Sequence, residues 1–120
     1  MTTIFLKRVY EPMEKSDGFR VLVDRLWPRG LKKENVHADV WMKDVGPSAV
    51  LRKWFNHEPE KWIEFSKKYK AELKNSPQVN ELIQYCENHK TVTLLYSAKD
   101  KEQNQALVLQ RFINGLLDKN

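Results

Sequence analysis

The segment from Asp24 to Gly30 (DRLWPRG) concentrates side chains that could do chemistry within seven residues. Arg25 and Arg29 carry guanidinium forks that suit phosphate or carboxylate groups, and Trp27 offers a flat face for stacking. Asp24 could orient an arginine or act as a base. The alternative is a structural Asp–Arg ion pair with the indole as a core plug. Because such a charge cluster at a strand end is costly as scaffolding alone, this segment is the leading candidate for a working surface.

A second turn is also suited to anions. The residues Gly46-Pro47-Ser48 form a helix start signal, with Ser48 able to cap the helix. A helix N-terminus offers free N–H groups and the positive end of a dipole. Arg52, one turn into this helix, could add a guanidinium fork. The alternative is an ordinary cap without a ligand.

A third turn follows the last predicted strand, which ends at Tyr96. A strand that leads directly into a capped helix again has anion-binding geometry. Lys99 could meet a phosphate, the Tyr96 ring could stack, and Asn104 lies one turn beyond Asp100. Asp100 and Gln103 resemble a capping box. The alternative is therefore that Asp100 only caps the final helix.

His57 follows the predicted end of a helix and could act as a general base. The alternative is a histidine that interacts with the helix dipole. No histidine pair or Cys/His set has metal-ligand spacing, and phosphate-cradling, dinucleotide and nucleophile-elbow motifs are absent from the sequence. Cys86 falls on the apolar face of a predicted helix, which indicates an inert core thiol. We therefore expect neither a metal nor a cofactor, and Asp24 and His57 are the candidate catalytic residues.

Alternating strands and helices must position these residues. The apolar patterns predict strands at 4–9, 20–26, 39–44 and 91–96, with three helices before the last strand and one after it. The run Val21-Leu22-Val23 is apolar on both faces, as in a sheet covered on both sides. This order predicts an α/β fold: a small, mostly parallel sheet of about four strands flanked by helices, with Rossmann-like layering. Ligands bind such sheets beyond the carboxyl ends of the strands.

The helix predictions rest on apolar residues spaced three and four apart. The first helix is expected to bury one apolar stripe that consists of Val50, Leu51, Trp54 and Phe55. The final helix is expected to start from the Asp100 cap.

Length and composition limit the remaining possibilities. The 120 residues fit one domain, 1–120, and 41% of them are hydrophobic. No apolar run approaches the roughly 20 residues of a membrane helix. The N-terminus lacks the layout of a signal peptide, and the lone cysteine excludes an internal disulfide. We therefore expect a cytoplasmic protein. The net charge of +5 invites a nucleic-acid interpretation, but lysines and glutamates are mixed along the predicted helices.

The chain resembles the YeaO-like branch of a bacterial domain-of-unknown-function family, number 488. The motifs that carry the resemblance are KRVY at 7–10, DG at 17–18, RVLVDRLWPRG at 20–30, PS at 47–48 with LR at 51–52, WF at 54–55 with His57, TLLY at 93–96, and AKD at 98–100 with Asn104. The resemblance implies a small α/β domain from a bacterial cytoplasm and no particular reaction. It implies that the family pattern includes Arg8, Asp24, Arg25, Trp27, Arg29, Ser48, Arg52, His57, Tyr96, Lys99 and Asp100.

The resemblance also implies that the wider family carries a Cys-His-Arg run early in its last helix, which this chain lacks. The corresponding positions here are Asn104, Gln105 and Ala106. This departure argues against thiol or imidazole chemistry at that turn.

The leading hypothesis is an enzyme or ligand-binding domain for a small anionic molecule, such as a nucleotide or another phosphate ester. It assigns anion binding to Arg25, Arg29 and Lys99, stacking to Trp27 or Tyr96, and proton transfer to Asp24 or His57. One alternative is a nucleic-acid-binding, transcription-associated protein. Another is a non-catalytic protein-interaction module anchored by exposed tryptophans such as Trp41 or Trp62. The sequence indicates no oligomeric state.

Overall fold

The computed structural model describes residues 2–118 and contains one four-stranded sheet. Its strands are β1 (Thr3–Arg8), β2 (Phe19–Leu22), β3 (Val40–Trp41) and β4 (Thr91–Tyr96). Their order is β1-β4-β2-β3, and every neighbouring pair is parallel. The predicted α/β class with a small parallel sheet is confirmed. All four carboxyl ends therefore lie at one edge of the sheet.

Within residues 2–118, five α-helices and three short 3₁₀ turns complete the fold. The helices are α1 (Lys33–Val36), α2 (Ala49–Phe55), α3 (Trp62–Lys74), α4 (Pro77–Glu87) and α5 (Gln105–Leu117). The 3₁₀ turns are Lys15–Asp17, Lys43–Val45 and Pro59–Lys61. No helix within residues 2–118 combines the length and apolarity needed to cross a membrane.

The main core lies between one face of the sheet and the four longer helices, α2 to α5. Strand residues such as Val21 and Leu94, and Val23 just beyond β2, pack there with side chains such as Leu82 and Ile113 from the helices. These residues are almost completely buried, as the period-two pattern of a covered strand requires.

The opposite face of the sheet is covered by a smaller apolar cluster and a loop. A smaller apolar cluster of Val9, Leu22, Val36 and Leu95 lies under the loop that contains Trp27. The two helical layers therefore differ in size: among the residues described, the single-turn helix α1 is the one helix that contributes to this face, whereas four helices cover the other.

Several element boundaries differ from the sequence predictions. Strand β2 ends at Leu22 rather than at residue 26, and β3 has two residues because the 3₁₀ turn at Lys43 follows almost at once. Val50, predicted to lie in the buried stripe of α2, is 80% exposed. That prediction was wrong because Leu51 and Phe55, one turn apart, already define the buried face, and Val50 lies beside it.

Candidate functional site

Asp24 lies just beyond the carboxyl end of β2 and is 5% exposed. Its Oδ2 accepts hydrogen bonds from the Ser97 backbone N–H (2.8 Å) and from Ser97 Oγ (2.6 Å). Gln105 Nε2 donates to Oδ1, and Trp41 Nε1 donates to the Asp24 carbonyl at 2.7 Å. This one residue therefore ties the ends of β2, β3 and β4 to the start of α5.

The Asp24 carboxylate is held in a buried setting. Burial raises its pKa, and hydrogen bonds from Ser97 and Gln105, together with the charge of Arg52, oppose that effect without cancelling it. Both carboxylate oxygens already accept bonds from the chain's own donors. A base role for Asp24 would therefore fall to Oδ1, which accepts a single hydrogen bond, whereas Oδ2 accepts two.

Arg25 does not pair with its neighbour Asp24. Its Nε donates to the Pro47 carbonyl at 2.9 Å, and its Nη2 donates to the Gly46 carbonyl at 2.8 Å. The Asp44 carboxylate lies 3.7 Å from its Nη1. The guanidinium thus fixes the loop that leads into α2, and its fork is occupied by backbone oxygens.

The N-terminus of α2 is occupied by a carboxylate from the same chain. The Glu72 carboxylate, from α3, accepts hydrogen bonds from the Ser48 backbone N–H (2.9 Å) and from Ser48 Oγ (2.6 Å). Ser48 Oγ also caps α2 by accepting from the Leu51 N–H at 3.1 Å. The Glu72 carboxylate occupies the N-terminus of α2, where the sequence predicted that an anionic ligand could bind. Ser48 therefore acts here as a structural cap.

We expect Glu72→Gln to lower the free energy of unfolding by about 1–2 kcal/mol, because it removes a charge from charge-assisted hydrogen bonds at a helix N-terminus. Urea denaturation measures this loss. Glu81→Gln, an exposed position on α4, is the matched control and should change stability by less than about 0.5 kcal/mol. Equal effects of the two substitutions would contradict the assigned role of Glu72.

Arg52 is the predicted anion ligand with the least satisfied side chain. Within residues 2–118, its Nε is the one buried side-chain nitrogen or oxygen that lacks a hydrogen-bond partner. Its charge lowers the pKa of Asp24, which places the two groups near each other, yet no ion pair joins them in this part of the chain. The guanidinium retains donor capacity beside the strand ends.

The predicted residues around the end of β4 mostly bind the chain's own backbone. Arg8 donates to the carbonyls of Ala98 (2.9 Å) and Ser97 (3.2 Å). Tyr96 is 3% exposed, and burial raises its pKa. Lys99 is exposed.

The start of the final helix also differs from the prediction. Asp100 Oδ1 accepts from the backbone N–H groups of Glu102 (2.8 Å) and Gln103 (3.0 Å), which closes a turn ahead of the helix. Asn104 is the N-cap of α5, since its Oδ1 accepts from the Leu107 N–H at 2.9 Å. Asp100 was wrongly predicted as the cap because a local capping-box pattern does not fix where the helix begins.

Arg29 and His57 do not join Asp24. Arg29 is exposed, and its carbonyl accepts from Tyr10 OH at 3.0 Å. His57 is exposed beyond the end of α2, with a left-handed φ of 55° and its ring 6.0 Å from that of Phe55. The length of α2, about 10 Å, separates it from the strand ends. Among residues 2–118, no hydrogen bond or ion pair joins the side chains of Arg29, Lys99 or His57 to the Asp24 carboxylate, whose donors are Ser97 and Gln105.

Trp27 instead forms part of a groove along β3. Its ring meets that of Trp41 edge to face, with centroids 5.2 Å apart, and its Nε1 donates to the Leu31 carbonyl at 2.6 Å. The groove has a volume of about 680 Å³. Its lining consists of Trp27, Leu31, Lys32, Lys33, Ala38, Asp39, Val40 and Trp41. The sequence signal for this groove was the Lys32-Lys33 pair that follows the DRLWPRG segment, and it was missed.

Other reactive groups lie elsewhere in the fold. Cys86 is buried, and burial raises the pKa of its thiol to about 11. Trp62 packs against Phe55 and Phe65 and is partly buried, whereas Trp41, the other anchor that the protein-interaction hypothesis offers, is 40% exposed. Between residues 2 and 118, no group of three or more His, Cys, Asp or Glu side chains could hold a metal ion.

A family model described as the inactive DUF488-N3 subclade matches residues 3–120. The chain belongs to this subclade. The expected resemblance to YeaO-like proteins is thereby confirmed. The chain is 46% identical over 110 residues to the uncharacterized protein YeaO of Escherichia coli. The alignment covers 92% of this chain and 96% of that protein. The chain is 39% identical over 114 residues to the uncharacterized protein Rv3073c of Mycobacterium tuberculosis. That alignment covers 95% of this chain and 96% of that protein. No solved structure matches this chain.

In this DUF488-N3 member, the three residues at 104–106 have structural roles. Asn104 caps α5, Gln105 donates to the buried Asp24, and Ala106 lies in the core. At the three positions where the resemblance implies a Cys-His-Arg run in the wider family, this chain has residues that hold the fold together.

Proposed function

We propose that this protein is a binding domain for a small nucleotide-like anion, which it takes into the groove between Trp27 and Trp41. The observation that carries the proposal is the groove itself, which joins two indole rings and two lysines. Its volume of about 680 Å³ falls in the range of small-molecule sites. The family description as inactive favours binding over catalysis.

The two ends of the groove offer different chemistry. Trp41 is 40% exposed, so part of its ring is free to stack on a planar base. Lys32 and Lys33 are exposed on the rim and can approach a phosphate. Asp39 is the groove's acidic residue, and its Oδ2 accepts from the Arg20 backbone N–H at 2.9 Å. An anion with a flat ring matches this combination better than phosphate or a ring alone.

The groove also connects to the strand-end segment. Trp41 Nε1 donates to the Asp24 carbonyl at 2.7 Å, so the stacking ring is anchored on the residue that ties the strands together. Trp27 is held in the same way by the Leu31 carbonyl. Since both indoles are fixed before a ligand arrives, binding would cost little ordering of side chains.

Tryptophan fluorescence titrated with AMP, adenosine, ribose 5-phosphate and inorganic phosphate tests the proposal. We expect AMP to quench the fluorescence and to bind more tightly than any of the other three. Lys32→Ala/Lys33→Ala should weaken AMP binding about tenfold, because it removes the phosphate contacts. Lys67→Ala/Lys68→Ala, an adjacent lysine pair on α3, is the matched control and should bind AMP as the wild type does.

Three results would count against the proposal. One is the absence of AMP binding at millimolar concentration. Another is equal loss of AMP binding in the two lysine-pair variants. The third is a single-stranded oligonucleotide that binds far more tightly than AMP with a steep salt dependence, which would favour the nucleic-acid alternative.

A further inference from the structure

A second groove runs between α3 and α5, among the helices that cover the other face of the sheet. It has a volume of about 440 Å³. It is lined by Lys67, Lys70, Ala71, Lys74, Phe112, Gly115 and Leu116. The lining thus combines three cations with an apolar floor and contains no acidic side chain.

The lysines of this groove form an ordered row. Lys67, Lys70 and Lys74 are all exposed on α3 and are spaced three and four residues apart. Such positions lie above one another along a helix, so the row extends about 10 Å. A row of like charges beside one groove is electrostatically unfavourable unless opposite charges neutralise it. The row therefore fits a partner that presents carboxylates at the same spacing.

The floor of the groove is apolar and has open space above it. Phe112 and Leu116 are only partly buried, although both pack against the main core. A Cβ placed on Gly115 would meet nothing within 4 Å, so the groove is open above that point of α5, and this open space is called the recess. An apolar side chain of a partner could enter the recess and cover both residues.

We propose that the α3–α5 groove docks an amphipathic helix of a partner protein, with acidic residues against the lysine row and an apolar anchor over Gly115. The arrangement is that of a helix-in-groove interaction, in which apolar anchors recur at helical spacing. Charge complementarity selects an acidic partner, and the apolar floor below the recess selects a side chain rather than a phosphate backbone.

A labelled helix-forming peptide of about 15 residues tests this docking. Its design places leucines at helical anchor spacing and glutamates on either side. Fluorescence anisotropy should show that it binds, whereas a peptide with lysine in place of each glutamate should not. Lys70→Glu/Lys74→Glu should weaken binding at least about tenfold, since it reverses two of the three charges. Gly115→Leu should also weaken it, because the added side chain fills the recess.

Lys32→Glu/Lys33→Glu is the matched control, since it reverses the same number of charges in the other groove. It should leave peptide binding unchanged, and circular dichroism should show that all variants are folded. The proposal is overturned if the acidic peptide fails to bind at millimolar concentration, if the control weakens binding equally, or if Gly115→Leu has no effect. It is likewise overturned if the same lysines bind an oligonucleotide, anionic vesicles or a second copy of the chain more tightly than the peptide.

Discussion

Replacing Asp17 with asparagine is expected to lower the free energy of unfolding by about 3–5 kcal/mol, because it leaves buried positive charge without its counter-ion. Asp17 and Arg20 are 5% and 3% exposed and form an ion pair on the loop-covered face of the sheet. Lys7 Nζ lies 2.8 Å from the other carboxylate oxygen. Arg20 also donates to the carbonyls of Val36 and His37, both at 3.0 Å. Asp17 is therefore the counter-ion of the buried Arg20, whereas Lys7, which is partly exposed, also pairs with Glu14 at 2.9 Å.

Urea denaturation of Asp17→Asn against the wild type measures this loss. Glu58→Gln breaks the partly exposed pair of Glu58 with Lys61, whose atoms lie 3.0 Å apart, and it serves as the control. That change should destabilise the protein far less than Asp17→Asn, as is usual for surface ion pairs. A loss for Asp17→Asn as small as the control's would refute the assigned role of the buried pair.

The same carboxylate gives a pH dependence of stability. Burial by itself raises the pKa of Asp17, but hydrogen bonds from Lys7, from the Glu14 N–H and from Arg20 outweigh burial and lower the pKa below its usual 3.8. Because the folded pKa is the lower one, the ionised group stabilises the fold above pH 3.8. This stabilisation is lost as the pH falls through the folded pKa. Denaturation midpoints of Asp17→Asn should therefore fall less steeply in acid than those of the wild type.

The substitution Gly18→Ala is expected to cost about 3 kcal/mol, because it combines backbone strain with a collision. Gly18 has a φ of 65°, and an added Cβ would overlap the carbonyl oxygen of Thr91 and lie 2.8 Å from its Cβ. Thr91 begins β4, the central strand next to β2, so neither backbone can move without disturbing the sheet.

Gly30→Ala separates the two contributions. Gly30 also has a positive φ, 80°, but an added Cβ would meet nothing within 4 Å. It should therefore cost only about 1 kcal/mol, from backbone strain alone. Thermal denaturation of both variants provides the comparison. If Gly18→Ala is no more destabilising than Gly30→Ala, the close approach to Thr91 does not limit the fold.

The fold class could be predicted because its signals are local and strong. The continuous apolar run at Val21-Leu22-Val23 and the β-branched start of β4 indicate covered strands. Strand ends were less predictable because they depend on distant partners. For example, β2 ends early near the point where Arg25 turns to the carbonyls of Gly46 and Pro47.

The candidate site could be predicted only in part. The sequence singled out the segment at 24–30, and one of its residues, Trp27, lines a groove. It could not reveal that Glu72, 24 residues away, occupies the N-terminus beside Ser48. Nor could it show that Arg8 is bonded to the carbonyls of Ser97 and Ala98. Such contacts join residues far apart in the chain, and residue type does not determine which partner a charged side chain selects.

The strand order has a consequence for how the chain folds as it is synthesised. Because β4 lies between β1 and β2, the first two strands to be made do not bond to each other. Strand β1 cannot pair until β4 has been synthesised, because Thr3 pairs with Thr91. Until then, β2 can pair only with the two-residue strand β3. Pairing so distant in sequence slows folding, because a long loop must close before any contact repays its entropy. Helices α2 to α4 therefore leave the ribosome before the sheet they cover exists, and the arrival of β4 is the event that converts loosely associated helices into a domain.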